Sequence, residues 1–197
     1  MPTAVTDLPV SVDSPRRRWT RSECDNLPST VLDLDRFELI EGDLIGKMGK
    51  TRPHVVTQTL LYGWLIQIFG NRFVSPETPI DVALQDNPTN EPVPDLVVTA
   101  QEAEYYSSNP LPADLRLVVE VSDTTIGFDL RTKAGLYARA GIVEYWVLDI
   151  AGRRMVVHRD PGAGRYRSVI AFNEDEPLSP LAAPGAAVLV RDLLPKW

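Results

Sequence analysis

The chain has 197 residues, of which 44% are hydrophobic and 24% are charged, and it carries a formal net charge of −7. This composition is that of an ordinary globular domain and excludes wholesale disorder. The acidic balance argues against a protein that coats nucleic acid through clustered lysines and arginines. A single cysteine, Cys24, excludes an internal disulfide and a cysteine-based zinc site. We therefore predict one domain over residues 18–197, preceded by a flexible arm over residues 1–17.

The N-terminal residues point to a cytoplasmic protein. They include Asp7, Asp13 and three consecutive arginines, and they contain no apolar segment of the kind found in signal peptides. The longest apolar runs of the chain are much shorter than a membrane span, and a single cysteine is typical of a reducing compartment. We expect neither a signal peptide nor membrane contact.

The first half of the chain predicts a hairpin and a long helix. Residues 37–45 alternate apolar and polar side chains around a turn at 41–43. Apolar residues recur at helical spacing over 53–69, which predicts a core-facing helix that ends at Gly70. Its core-facing residues are expected to be Val56, Leu60, Leu61, Trp64, Leu65 and Ile68. Short strands are predicted at 73–74, 80–84 and 96–98.

The second half centres on two apolar runs joined by a helix. Strands are predicted at 115–121 and 144–150, with a helix at about 128–140 between them. Continuous apolar runs are typical of strands that are buried on both faces. Antiparallel strands follow at 154–159 and 166–172. This order predicts an α/β fold in which helices flank a mixed β-sheet with antiparallel hairpin additions.

Asp95 and Glu120 are the main candidates for chemistry, because each stands at one end of a predicted buried strand. Ligand sites gather at strand ends in such sheets, and Mg²⁺ commonly binds one or two carboxylates while it retains several waters. Asp95 taken alone is better explained as a strand-start residue that bonds the backbone of its turn. Glu120 is the stronger candidate, since Val119 and Val121 leave little polar surface beside it. A buried carboxylate needs a metal, a cation or a proton.

Lys133 follows Asp129 by four residues, so both side chains lie on one face near the start of the predicted helix. A solvated ion pair is the ordinary meaning of such a spacing. If the helix directs the lysine back over Glu120, its charge could instead orient an attacking water and stabilise a phosphorane-like state.

The two histidines are weaker candidates, and common catalytic motifs are missing from the sequence. It contains no Gly-rich phosphate loop, no G-x-S-x-G elbow and no H-E-x-x-H zinc motif. We expect His158 at the surface of a late hairpin strand. His54 lies in the first turn of the long helix, close to Lys50 and Arg52, where a capping or packing role is more common than a ligand role.

Several short motifs, taken in order, resemble a known family. They are Phe37-Glu38-Leu39-Ile40-Glu41-Gly42-Asp43, Pro94-Asp95-Leu96-Val97-Val98, Val119-Glu120-Val121-Ser122, Asp129-x-x-x-Lys133-x-x-x-Tyr137 and Ala140-Gly141-x-x-Glu144-Tyr145-Trp146. The set resembles the putative restriction endonuclease family of bacteria, long catalogued as a domain of unknown function, in the PD-(D/E)XK nuclease superfamily. The resemblance covers residues 18–194 and implies a restriction-endonuclease-like fold.

The resemblance also implies a metal site. In the superfamily, the residues that match Asp95 and Glu120 hold a divalent cation, so these two are expected to bind Mg²⁺ or Mn²⁺. The lysine of the basic pattern, two residues after Glu120, is replaced by Ser122. The resemblance therefore implies a migrated lysine from the following helix, which is Lys133. Glu38 matches a family glutamate before the first hairpin turn and is either a further site carboxylate or a paired strand residue.

Other matched residues are expected to act less directly. Asp129 either orients Lys133 or caps the helix. Glu144, Tyr145 and Trp146 are expected to build the sheet and a subunit contact rather than to take part in chemistry.

The function implied by the resemblance is a Mg²⁺-dependent endonuclease that hydrolyses phosphodiester bonds in DNA. Asp95 and Glu120 would bind the metal, Lys133 would orient the water, and Glu38 is a further catalytic candidate. RNA is not excluded as a substrate, and a homodimer would suit cleavage of a duplex. Two alternatives stay open: a non-catalytic binding or assembly module, which the net charge of −7 favours, and an enzyme that acts on a small phosphorylated substrate.

Overall fold

The structure, a computed structural model, describes residues 17–28, 37–47 and 49–197. The predicted arm over residues 1–17 lies outside these ranges except for Arg17, so the division into arm and domain stays a prediction. Within the described ranges, no helix is long and apolar enough to cross a membrane.

The described part of the chain contains four α-helices and ten β-strands. The helices are α1 (Arg21–Asp25), α2 (Arg52–Phe69), α3 (Ile126–Phe128) and α4 (Ala134–Ala140), with a π-helical segment at Asp129–Lys133. The strands are β1 (Phe37–Ile40), β2 (Asp43–Gly46), β3 (Val74–Pro76), β4 (Leu96–Thr99), β5 (Leu115–Ser122), β6 (Glu144–Asp149), β7 (Arg154–Gly162), β8 (Arg165–Asn173), β9 (Pro177–Leu178) and β10 (Val188–Leu189). Short 3₁₀ turns stand at Asn87–Thr89, Ala103–Tyr105, Pro112–Asp114 and Val190–Leu193.

The centre of the fold is a six-stranded sheet with the order β3-β4-β5-β6-β7-β8. The pair β5–β6 is parallel, and the other neighbouring pairs are antiparallel. A parallel pair needs a crossover connection, which α3, the π-helical segment and α4 supply. The pairs β1–β2 and β9–β10 form separate antiparallel sheets. The predicted mixed sheet, with flanking helices and antiparallel hairpins, is confirmed.

The central strands β4, β5 and β6 are buried on both faces of the sheet, as their apolar runs predict. On one face, Leu61 of α2 packs in the same core as Val119. On the other face, Leu136 of α4 packs in the same core as Val118. Successive residues of a strand point to opposite faces, so Glu120 lies on the side of α4. The alternation of β5 thus decides which helix meets the buried carboxylate.

The helix α2 is confirmed, but its core-facing side is narrower than the sequence predicts. Thr57, Leu61 and Leu65 are its buried residues and form a single i, i+4 ridge against the sheet. Leu60, predicted to face the core, is 39% exposed. The prediction was wrong there because helical spacing gives the direction of an apolar side chain and not the width of the surface that covers it.

The predicted strand at 80–84 is wrong. Ile80 and Val82 are buried, but their backbone makes no ladder with another strand of the described ranges. The amide of Ile80 donates to the carbonyl of Pro92 at 3.1 Å, and the amide of Val82 donates to Oδ1 of Asn87 at 2.9 Å. The backbone amides of this segment therefore bond to acceptors in loops. An apolar run becomes a β-strand only where its backbone groups bond to a neighbouring strand.

His158 is not the surface residue that the sequence predicts, because only 3% of it is exposed. It packs against the rings of Tyr145 and Tyr166, with centroid distances of 5.2 and 5.5 Å. Burial lowers the pKa of His158, which favours the neutral imidazole. The helix α4 covers this face of β7 and β8, and the hairpin sequence alone does not reveal that cover.

The residues of β6 that were predicted to make a subunit contact lie wholly inside the fold. Glu144, Tyr145 and Trp146 each have an exposed fraction of 0%, so the predicted contact is wrong and the sheet-building role is confirmed. The carboxylate of Glu144 accepts hydrogen bonds from Nε of Arg159 at 2.7 Å and from Nε1 of Trp146 at 3.0 Å. These partners satisfy a carboxylate that would otherwise be costly to bury.

The crossover helix predicted at 128–140 contains an irregularity that matters for the site. Between α3 and α4 the chain forms the π-helical segment Asp129–Lys133, and α4 ends at Gly141 with a left-handed φ of 76°. Asp129 and Lys133 are both buried. Such π-helical turns are frequent at functional sites, and this one directs an acidic and a basic side chain into the protein.

Candidate active site

A cleft of about 470 Å³ opens where β4 begins and β5 ends, because these strands are antiparallel neighbours. The β1–β2 hairpin, the loop and first turn of α2, and the crossover after β5 form its walls. The four residues predicted from the sequence as catalytic all line this cleft: Glu38, Asp95, Glu120 and Lys133. The structure brings these side chains together from distant parts of the chain, and their roles stay predictions.

Asp95 is held by three partners just before β4. Its Oδ2 accepts a hydrogen bond from the amide of Val121 at 2.8 Å, and its Oδ1 lies 3.0 Å from Nε2 of His54 and 3.4 Å from Nζ of Lys50. Burial alone would raise the pKa of Asp95, but the contacts with His54, Val121 and Lys50 hold that pKa below its ordinary value. The carboxylate of Asp95 is therefore ionised.

Glu120 and Lys133 form a buried ion pair. The Nζ of Lys133 donates to Oε1 of Glu120 at 2.8 Å, and the hydroxyl of Tyr137 donates to the same oxygen at 3.2 Å. Only 5% of Glu120 and 4% of Lys133 are exposed. The lysine does point back from the crossover over Glu120, so the ion pair is not the solvated one that its spacing from Asp129 would suggest.

Glu38 reaches the same ammonium from the β1 strand. Its Oε2 lies 2.9 Å from Nζ of Lys133 and accepts a hydrogen bond from the amide of Val93 at 3.2 Å. Of the two alternatives open at the sequence level, Glu38 is a carboxylate of the cleft, and its partner is the lysine of the cleft rather than a neighbour in its own hairpin.

Burial and crowded carboxylates control the protonation of this pair. Burial raises the pKa of Glu120 well above its ordinary value; Lys133 opposes this shift, while the charges of Asp129, Asp95 and Glu38 add to it. Burial lowers the pKa of Lys133, but the surrounding carboxylates outweigh this effect and raise it above the ordinary value. Lys133 therefore carries a fixed positive charge at neutral pH and cannot accept a proton as a base.

Ser122 occupies the position where the basic superfamily pattern has a lysine. Its side chain is fully buried, and its Oγ lies 3.3 Å from Oγ1 of Thr125. Thr125 in turn donates to Oδ2 of Asp129 at 2.7 Å. Asp129 thus bonds to the residue that precedes α3, and its charge also raises the pKa of Lys133. Among the described residues, no side-chain capping bond is present at α3, at the π-helical segment or at α4, so the capping alternative is wrong. That Asp129 orients Lys133 stays a prediction.

Three residues outside the predicted catalytic set also contact the site. Tyr137 bonds Glu120, and Lys50 and His54 contact the carboxylate of Asp95. For Lys50 and His54, the sequence signal was the basic loop directly before the long helix, because side chains at the start of a helix can reach into a neighbouring cleft. Contact between that loop and Asp95 depends on how α2 docks on the sheet, which the sequence does not specify.

The carboxylates of the cleft suit a hard divalent cation. Mg²⁺ is commonly held by one or two carboxylates and keeps several waters, and Asp95 and Glu120 supply that number. Within residues 17–28, 37–47 and 49–197 there is no group of three or more Asp, Glu, His or Cys side chains placed to hold a metal. A cation here would rely on these two carboxylates, with the carbonyl of Val121 as a further candidate ligand. It would also offset the repulsion between carboxylates that adds to the effect of burial in raising the pKa of Glu120.

The sequence matches the family model described as Uma2, putative restriction endonuclease, over residues 22–191. The chain belongs to this family. Membership in the Uma2 family confirms the resemblance that the ordered motifs indicate over residues 18–194. No curated protein matches the chain.

The Uma2 fold of this chain also occurs in a solved structure. The chain is similar to a putative nuclease belonging to DUF820 from Anabaena variabilis, with 18% sequence identity and a TM-score of 0.66. The match covers 88% of this chain and 96% of that chain. At this identity the likeness establishes the shared mixed α/β fold and nothing finer.

Proposed function

We propose that this Uma2-family protein is a Mg²⁺-dependent endonuclease that hydrolyses phosphodiester bonds in DNA. The observation that carries the proposal is the contact of Lys133 with Glu120 from the crossover, because the position two residues after Glu120 holds Ser122 instead of a lysine. A buried, permanently charged ammonium beside two buried carboxylates in one cleft is a costly arrangement for stability alone. It suits a site that handles a phosphate group.

Asp95 and Glu120 are the proposed ligands of the metal, with Mn²⁺ as a substitute for Mg²⁺. A cation held by these carboxylates would supply Lewis-acid stabilisation of the scissile phosphate and would lower the pKa of an attacking water. Lys133 orients the attacking water and offsets the charge that develops on the phosphate. Because Glu38 and Glu120 both bond the ammonium, they fix the direction in which Lys133 presents its charge. Glu38 therefore acts as a positioning residue.

A homodimer is the assembly we propose for cleavage of a duplex. Two-fold symmetry would present one site to each strand. Lys47 is an exposed basic residue that lines the cleft, and it would attract a phosphate backbone locally despite the acidic balance of the chain as a whole.

The proposal is tested by incubating the protein with plasmid DNA, single-stranded DNA and RNA, in Mg²⁺, in Mn²⁺ and in chelator. We expect metal-dependent cleavage of DNA by the wild type, and a loss of at least about 100-fold in rate for Lys133→Met, comparable with the removal of a preorganised charge-stabilising donor. Arg131→Met is the matched control, since it removes an exposed cation from the same π-helical segment.

Cleavage at equal rates by the wild type and Lys133→Met would refute the role of Lys133. The circular dichroism spectra of both variants should match that of the wild type at the assay temperature, so that loss of activity is not loss of fold. Cleavage of RNA alone would move the substrate from DNA to RNA and leave the site assignment in place.

A non-catalytic binding or assembly module is the second candidate, because a net charge of −7 is unusual for a protein that approaches a polyanion. Calorimetry separates the two functions. A nuclease of this type binds Mn²⁺ in the wild type and loses that binding in Glu120→Gln, whereas a module that has only kept the fold binds no divalent cation. Metal binding without action on nucleic acid would favour a small phosphorylated substrate instead.

A further inference from the structure

Lys50 lies between the proposed metal ligand Asp95 and a second carboxylate. Its Nζ is 2.6 Å from Oε1 of Gln58, 2.6 Å from Oε1 of Glu77 and 3.4 Å from Oδ1 of Asp95. An ammonium group has three N–H donors, so these oxygens can satisfy it completely. The contact with Asp95 is the longest of the three, and 28% of the lysine side chain is exposed.

The other two acceptors are anchored independently of the Asp95 carboxylate. The amide of Glu77 and Nε2 of Gln58 each donate to the backbone carbonyl of Asp95 at 3.1 Å. Glu77 also adopts a left-handed φ of 47°, an uncommon conformation for a residue other than glycine. Gln58 and Glu77 can therefore keep holding Lys50 if its contact with the Asp95 side chain is broken.

Nearby groups already use the rest of the Asp95 carboxylate. Oδ2 accepts the amide of Val121, and Oδ1 is shared by His54 and Lys50. A cation that binds Oδ1 must share it with a charged ammonium or displace that ammonium. A metal cation and the ammonium of Lys50 that shared this oxygen would repel each other strongly, because the site is partly shielded from water.

We propose that Lys50 is a competing cation that occupies the Asp95 carboxylate and yields it to the divalent metal. On metal binding, Lys50 leaves Oδ1 and remains bonded to Gln58 and Glu77 at the wall of the cleft. The lysine thereby sets the affinity of the site for metal and neutralises Asp95 in its absence. This inference rests on the proposed function, since it takes Asp95 as a metal ligand.

The test is calorimetric titration of the full chain with Mn²⁺ alone. We expect Lys50→Met to bind Mn²⁺ about tenfold more tightly than the wild type, a change of about 1.4 kcal/mol. Arg52→Met is the matched control. Arg52 is an exposed cation close to Lys50 in the sequence and, among the described ion pairs, forms none with Asp95. We expect this control to change the affinity by less than about twofold, because long-range effects of one exposed charge are screened.

Glu77→Gln tests the second anchor of Lys50. In the wild-type background it should weaken Mn²⁺ binding, because the displaced lysine loses its alternative carboxylate. In the Lys50→Met background the weakening should be at least about threefold smaller, because coupled residues have non-additive effects. Equal weakening in both backgrounds would overturn the transfer of Lys50 between carboxylates.

The failure of this inference differs from failure of the proposed function. If the wild type binds Mn²⁺ and Lys50→Met binds it with equal or lower affinity, the competing-cation role alone is overturned. If neither protein binds Mn²⁺, both the metal-dependent nuclease and the competing cation are refuted.

Discussion

Two lysines of the cleft, Lys133 and Lys50, each link a carboxylate of the central sheet to a carboxylate outside it. Lys133 joins Glu120 to Glu38, and Lys50 joins Asp95 to Glu77. Their surroundings differ: the side chain of Lys133 is 5% exposed, whereas that of Lys50 is 28% exposed.

The difference in burial gives the two lysines different physical behaviour. A lysine in a buried ion pair cannot replace its carboxylate partner by water, so breaking the pair leaves an uncompensated charge inside the protein. A half-buried pair can exchange, because water stabilises the separated charges. The same chemistry therefore yields a fixed cation on the α4 side of the sheet and an exchangeable one on the α2 side. We expect mutations to separate them by the size of their effects.

The largest expected effect on stability is that of Lys133→Met. Removal of this ammonium leaves Glu120 and Glu38 without a cation between them, and loss of one partner of a buried pair costs about 3–5 kcal/mol. Urea denaturation of the wild type and the variant measures the change in the free energy of unfolding. A change below about 1 kcal/mol would place Lys133 in the same class as a surface lysine and remove the contrast.

An intermediate effect is expected from pH, with opposite signs for the two sheet carboxylates. The pKa of Glu120 is raised in the folded state, so the fold binds its proton more tightly, and its contribution to stability falls as pH rises above its ordinary value of 4.5. The pKa of Asp95 is lowered, so its contribution is present above its ordinary value of 3.8 and is lost as pH falls through the folded pKa.

Denaturation midpoints between pH 3 and pH 8 would compare Glu120→Gln and Asp95→Asn with the wild type. The wild type should lose stability as the pH rises above 4.5, the ordinary pKa of a glutamate, and Glu120→Gln should not show this loss. The wild type should also lose stability as the pH falls below 3.8, the ordinary pKa of an aspartate, and Asp95→Asn should not show this second loss. If both substitutions changed the pH dependence of the midpoint in the same direction, the two carboxylates would not differ as their contacts indicate.

The smallest expected effect on stability is that of Lys50→Met. Exposed and half-exposed ion pairs contribute about 0–1 kcal/mol, so the urea midpoint of the metal-free protein should change little. The same variant is expected to change Mn²⁺ affinity about tenfold, so its effect on binding exceeds its effect on folding. A stability loss as large as that of Lys133→Met would make Lys50 a structural residue.

The sequence by itself determined the central strands, the crossover and the two carboxylates. The buried runs that became β5 and β6 contain too few polar residues for a half-exposed strand, and Glu120 within the first of them needed a partner. The ordered motifs also indicated the family and the lysine of the crossover. The inferences about strands and carboxylates depend on the local sequence pattern, whereas the family and the lysine were implied by the resemblance of the motifs.

Only the tertiary structure decided which partners those residues meet. His158 is buried because α4 covers its strand, and Ile80 lies outside the sheet because its amide bonds a loop carbonyl. Lys50 reaches Asp95 because α2 docks with its first turn over the start of β4. A sequence specifies which side chains need cover or charge compensation, but the packing of distant elements determines which neighbour provides it. For this protein, that distinction separates the fixed lysine from the exchangeable one.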